Sequence, residues 1–180
     1  MTLNKFQEFT ELNDSSSLSK DELLLILKTE ASGIDIQKIM KATSYLRDDA
    51  RFMQSPYRED YIKRFSKAFF SRIKDLKDDK DEYKGNVDVH KLKKFLEVLE
   101  TQRKKAESEG EMCFLKIARV IALYTTFILE ESIHPVGTSF PGGFKLKLVN
   151  GKYICPVKEK QINNPSALCR FCVSIQDEEV

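Results

Sequence analysis

The sequence predicts a mainly α protein: a helical bundle around a central apolar helix, with a small C-terminal β-hairpin and a Cys-rich module. Three observations predict it. Apolar residues recur at three- and four-residue spacings between helix-capping signals, as a 3.6-residue period requires. The segment 112–129 is apolar nearly all round, which suits a helix enclosed by others. Near residue 133 the composition shifts, and Pro135, Pro141, Pro156 and Pro165 follow with Gly137, Gly142, Gly143 and Gly151. That shift divides the chain into a bundle, 1–133, and a module, 134–180.

Each element has its own start and stop signals. Ser19 and Glu22 form a capping box ahead of the run Leu23-Leu24-Leu25-Ile26-Leu27, and Gly33 stands where that helix would end. Asp35 caps a helix with Ile36, Ile39, Met40 and Thr43 on one side. Ser55-Pro56 offers an N-cap and a proline at the first helical position. The helix it opens carries Tyr57, Tyr61, Ile62, Phe65, Ala68, Phe69, Ile73 and Leu76 as a core stripe. Residues 77–86 alternate in charge and read as a solvated loop without function. Asp88 then opens a helix with Val89, Leu92, Phe95, Leu96 and Leu99 inward, and Gly110 separates it from the central segment. A short helix around Phe6, Phe9 and Leu12 completes the body.

The central segment is no membrane span, because Lys116 and Arg119 leave only ten uncharged residues from 120 to 129. The amphipathic N-terminus lacks the apolar run of a secretory signal, so the expected setting is cytoplasmic. Beyond the composition shift, 144–149, then Asn150-Gly151, then 152–155 read as a hairpin with a type I′ turn, since Asn-Gly tolerates positive φ at both turn positions.

Three of the four cysteines, Cys155, Cys169 and Cys172, fall in the last part of the chain. In a reducing compartment they are thiols or metal ligands rather than disulfides. With His134 they supply the four donors of a tetrahedral zinc site, and such a staple would hold a hairpin that is marginal alone. Asn164-Pro165 favours a helix carrying Cys169 and Cys172 at i and i+3; a knuckle loop is the other construction, although Val173 stands where such loops carry Gly. Cys113 is the alternative fourth ligand, or else a small buried apolar side chain. His90 reads as a surface residue. Incidental free cysteines are the plain alternative to the whole cluster, and a redox dithiol lacks the βαβ pattern that accompanies one.

The runs Ile-Leu-Glu-Glu-Ser-Ile-His-Pro-Val-Gly-Thr-Ser-Phe-Pro-Gly-Gly (128–143), Tyr-Ile-Cys-Pro-Val-Lys-Glu-Lys-Gln (153–161) and Asn-Pro-Ser-Ala-Leu-Cys-Arg-Phe-Cys (164–172) resemble an archaeal protein family found mainly in methanogens. The resemblance covers most of the chain and brings no activity, substrate or catalytic residue. It implies an anaerobic cytosol, where an iron-sulfur cluster rivals zinc.

Charge gives a further expectation. Lys145, Lys147, Lys152, Lys158, Lys160 and Arg170 are opposed only by Glu159 before Asp177, and lie among Phe140, Phe144, Tyr153 and Phe171. That mixture suits nucleic acid or a protein partner, or it offsets metal-bound thiolates. A metal-dependent enzyme using Glu130 and Glu131 near His134 is the catalytic alternative, but the Glu-x-x-His spacing occurs once where di-iron bundles need it twice. No phosphate loop, nucleophile elbow or His-Glu-x-x-His helix occurs. The sequence therefore favours binding over catalysis.

Overall fold

The computed structural model describes residues 17–180 apart from Pro56, Pro141 and Ser166. The expected helix around Phe6, Phe9 and Leu12, and the expected helix-opening role of Pro56, lie outside the described residues. Among the described residues five α-helices form the body: α1 (Lys20–Ser32), α2 (Ile36–Asp49), α3 (Tyr57–Asp78), α4 (Val89–Lys105) and α5 (Glu109–Leu123). A small sheet follows, β1 (Lys147–Val149), β2 (Lys152–Cys155) and β3 (Ile175–Gln176), in the order β1-β2-β3.

Caps set the helix starts. The Ser19 hydroxyl accepts from the Glu22 amide at 3.2 Å, and the Glu22 carboxylate accepts from the Ser19 amide at 2.8 Å. Asp35 accepts from the Lys38 amide and Asp88 from the Lys91 amide, both at 2.9 Å. Each bond satisfies a backbone donor that the helix itself leaves open. The cap of α5 differs from expectation. Ser108 accepts from the Glu111 amide at 3.0 Å, and Gly110 lies inside the first turn. A Cβ at Gly110 would stand 3.2 Å from both the Lys41 carbonyl oxygen and the Tyr45 Cβ, so its role is close approach of α5 to α2 rather than separation from α4. The α2–α5 contact is the most extensive between helices.

From Val120 to Ile128 the chain is buried without a break. Around it pack Leu23, Leu27 and Ala31 of α1, Phe69, Ile73 and Leu76 of α3, and Leu92, Phe95 and Leu99 of α4. Past Leu123 the helix widens into a π turn, Tyr124–Ile128, closed by the Leu129 amide on the Tyr124 carbonyl at 3.0 Å. Glu130 ends it at φ 55.

The charged stretch after α3 is largely exposed, as expected, but it is anchored at two points, Asp79 and Tyr83. Asp79 accepts from the Tyr83 hydroxyl at 3.0 Å and the Tyr124 hydroxyl at 2.7 Å, tying the loop to the central helix. The charge pattern hides this because the anchors are hydroxyls on aromatic rings, and Tyr83 packs against the core.

The hairpin is formed as expected, with Asn150 at φ 49 and Gly151 at φ 75 and the register Val149↔Lys152, Leu148↔Tyr153, Lys147↔Ile154. Strand β3 was not foreseen; it pairs parallel to β2 with Ile154↔Ile175 and Cys155↔Gln176. Phe171 docks this region on the body, its ring edge-on to Phe95 at 5.0 Å between centroids. No helix among the described residues is long and apolar enough to cross a membrane. Phe171→Ala is expected to lower stability by about 3–5 kcal/mol, as for other buried aromatic truncations, seen as a lower urea midpoint at unchanged slope. An unmoved midpoint would show that this ring does not couple the two regions.

Candidate metal and thiol site

A cavity of about 460 Å³ lies where the helical body meets the C-terminal region. Cys155, Cys169, Cys172 and His134 all line it. Its other walls are largely apolar, with Phe69 from α3, Phe114, Leu115 and Ala118 from α5, and Phe140 from the following loop. Three separated stretches of sequence thus deliver three sulfurs and an imidazole to one cavity.

Local backbone explains each delivery. After Glu130 turns the chain out of the π turn, Ser132, Ile133 and His134 run along the cavity wall. Cys155 ends β2, where the Asp177 amide donates to its carbonyl at 3.0 Å. The expected helix over Cys169 and Cys172 is not formed. A single 3-10 turn, Leu168–Arg170, carries Cys169, and the Cys172 amide closes onto the carbonyls of Leu168 at 3.3 Å and Cys169 at 3.2 Å. Asn164-Pro165 is a good opening signal, but only nine residues separate Pro165 from β3, and a helix that short is marginal.

The sulfurs sit in different fields. Burial pushes the Cys155 thiol up, against the amides of Val157 and Lys158, which donate to its sulfur. Cys169 is also pushed up, first by burial and then by the sulfurs of Cys155 and Cys172. Cys172 goes the other way. Burial again disfavours its thiolate, but the Ser174 hydroxyl, the Ile133 and Ser174 amides and the Ser132 hydroxyl together outweigh it. The three oxygen and sulfur atoms form a triangle: 3.3 Å from Cys172 Sγ to Ser174 Oγ, 3.7 Å to Ser132 Oγ, and 2.9 Å between the hydroxyls. Lys158 Nζ donates to the Cys172 carbonyl at 2.6 Å. His134 stands edge-on to Phe140, 5.5 Å between centroids, and burial lowers its pKa, favouring the neutral imidazole that ligates metals.

Ser132, Ser174 and the amide donors to Cys155 escaped the sequence reading. Cys155-Pro156 was the available signal, because a proline after Cys turns the next amides back toward sulfur. The Ser residues carry no such mark, since their partner is distant in sequence.

Other candidate residues are placed elsewhere. Cys113, the alternative fourth ligand, does not line the cavity; it lies on α5 near Lys41 of α2. Glu130 pairs with Lys20 at 2.7 Å and Glu131 with Arg72, so both carboxylates are engaged outside the cavity. The expected basic face is partly consumed. Lys147 is 3.3 Å from the buried Asp177 carboxylate and Lys158 is turned toward Cys172, while Lys152, Lys160 and Arg170 are exposed. His90 is exposed, as expected. Among the described residues, no three His, Cys, Asp or Glu side chains are grouped as one metal ion would require.

These features define a class: a helical protein with a thiol-lined cavity beneath a small C-terminal sheet. The chain belongs to the archaeal family described as "Uncharacterized protein conserved in archaea (DUF2115)", which matches residues 19–177. It is similar to a UPF0305 protein of Methanothermobacter thermautotrophicus, 50% identical over 163 residues that cover 91% of this chain and 99% of the relative. A UPF0305 protein of Methanocaldococcus jannaschii is 31% identical over 161 residues, covering 88% and 97%. One from Methanopyrus kandleri is 30% identical over 133 residues, covering 73% and 92%. No solved structure matches the chain.

In metal-free protein, Cys172 is expected to begin reacting with iodoacetamide at lower pH than Cys155 or Cys169, because a lowered pKa keeps its thiolate to lower pH. Ser132→Ala with Ser174→Ala should move that midpoint upward. Peptide mapping after alkylation across pH reads both, and equal midpoints for the three thiols would contradict the hydroxyl cradle.

Proposed function

We propose that the cavity is a metal-thiolate centre, with Cys155, Cys169 and Cys172 as sulfur ligands and His134 as the nitrogen ligand. The protein is then a cytoplasmic binding protein whose C-terminal region is stapled by its metal. The convergence of these four side chains from distant sequence on one cavity is the observation that carries the reading. Amide donors at Cys155 and Cys172 add to it, since such bonds stabilise sulfur in its charged, ligating form.

The donor set, three sulfurs and an imidazole, fits zinc. For a single ion the sulfurs must draw in around one point, at about 2.3 Å each; the turns at 155–158 and 168–172 are the segments that would move. An iron-sulfur cluster is the second reading, favoured by the cavity volume of about 460 Å³. A cluster spreads its cysteine ligands around a larger body. A catalytic role for Glu130 and Glu131 draws no support from their pairing with Lys20 and Arg72.

Anaerobic purification followed by elemental analysis tests the proposal. Stoichiometric zinc supports the first reading, and iron with acid-labile sulfide the second. Cys169→Ser is expected to lose most of the metal and to lower thermal stability, whereas Cys113→Ser retains both. A metal-free wild-type protein that also takes up neither zinc nor iron on reconstitution would end the proposal.

A further inference from the structure

A second cleft, of about 490 Å³, opens between α3 and the loop that follows the central helix. Lys63, Arg64 and Lys67 line one side and Pro135, Val136 and Thr138 the other. The cations share a stripe with Asp60, because residues at i, i+3, i+4 and i+7 lie on one helix face. It is the polar face of the helix whose opposite side buries Phe69, Ile73 and Leu76.

Among the described residues Asp60 is the only acidic one lining the cleft, and each of its oxygens already accepts a hydrogen bond. Its Oδ1 accepts from Arg64 Nε at 2.6 Å, and its Oδ2 from the Ser139 hydroxyl at 3.0 Å. That pair of bonds ties α3 to the loop and fixes the guanidinium, leaving its terminal nitrogens for another acceptor. Gly137 lies against them, and a Cβ there would be 3.7 Å from a terminal nitrogen of Arg64. The Arg64 and Ser139 hydrogen bonds, with a smaller contribution from the charge of Lys145, hold the Asp60 carboxyl below the usual carboxylate range. No ion-pair partner for Lys63 or Lys67 occurs among the described residues. Glu59 lies with Lys63 in the adjoining groove beyond this face.

We propose that this cleft binds a phosphate-bearing ligand, with Lys63 and Lys67 as the charge donors and the Asp60-anchored Arg64 as the oriented fork. A guanidinium held by one edge presents its remaining N–H groups in the planar geometry that phosphate oxygens match, and two lysines one turn apart neutralise the charge. The site is separate from the metal proposal, because none of these cations lines the thiol cavity.

Isothermal titration of the full chain at low ionic strength, with inorganic pyrophosphate and separately with a short single-stranded oligouridylate, tests the proposal. Saturable pyrophosphate binding is expected, weakening as salt is added. The double variant Lys63→Gln, Lys67→Gln should bind about tenfold more weakly or worse, since two charged contacts are lost. Lys63→Arg, Lys67→Arg should retain binding. Both positions are exposed, so unchanged thermal unfolding controls for folding. Binding of oligouridylate alone, lost in the Gln variant, would support the cleft and assign it to a nucleic-acid backbone. No binding of either ligand to the wild type, or equal binding by the Gln variant, would overturn the proposal.

Discussion

The apolar surface that the last turn of α5 and the π turn after it present on every side is the constraint on which the architecture rests. Each fully buried side chain of the Leu, Ile, Val or Phe kind is worth about 1.5–3 kcal/mol. A segment buried without interruption from Val120 to Ile128 therefore forces other elements around its whole circumference. Helices α1, α3 and α4 supply one stripe each, and α2 closes in where Gly110 lets the backbones meet. The same constraint fixes where the chain leaves the core. Glu130 turns it, and Ser132, Ile133 and His134 then have only the seam beneath the C-terminal sheet to follow.

What could be read from sequence was local. Ser19 with Glu22, Asp35, Asp88 and Asn150-Gly151 each act within a few residues, and each does in the structure what its chemistry predicts. The central helix was legible because its apolar character needs no partner to be recognised. Misreadings came where a signal has two uses. Gly110 can end a helix or admit a neighbour, and only the position of α2 decides. Asn164-Pro165 can open an α-helix or a reverse turn, and here the Ala167 amide closes a turn onto the Asn164 carbonyl before the 3-10 turn begins. Strand β3 is two residues long and pairs with β2 across the nineteen residues 156–174, so no short window of sequence contains its cause.

The candidate cavity divides in the same way. Its sulfurs and imidazole were legible because Cys and His are chemically distinctive and cluster late in the chain. The donors around Cys172 were not, because a serine hydroxyl becomes part of a thiolate's surroundings only when a fold brings it there. The phosphate cleft shows a related blindness. Asp60, Lys63, Arg64 and Lys67 stand at helical spacing in plain view, yet attention to the apolar stripe of α3 leaves the opposite face to look like ordinary solvated charge.

The order of the small sheet leaves β1 at an edge, three exposed residues long, with Leu148 and Val149 uncovered. An open edge with apolar side chains invites strand-to-strand pairing between copies of the chain. Lys147 sits within that edge, with Lys145 before it and Lys152 across the turn, and their like charges repel a second hairpin brought alongside. The hairpin's lysines thus have an employment that needs no ligand at all: they guard against aggregation at an open margin of the sheet, where unpaired backbone groups could recruit a neighbour.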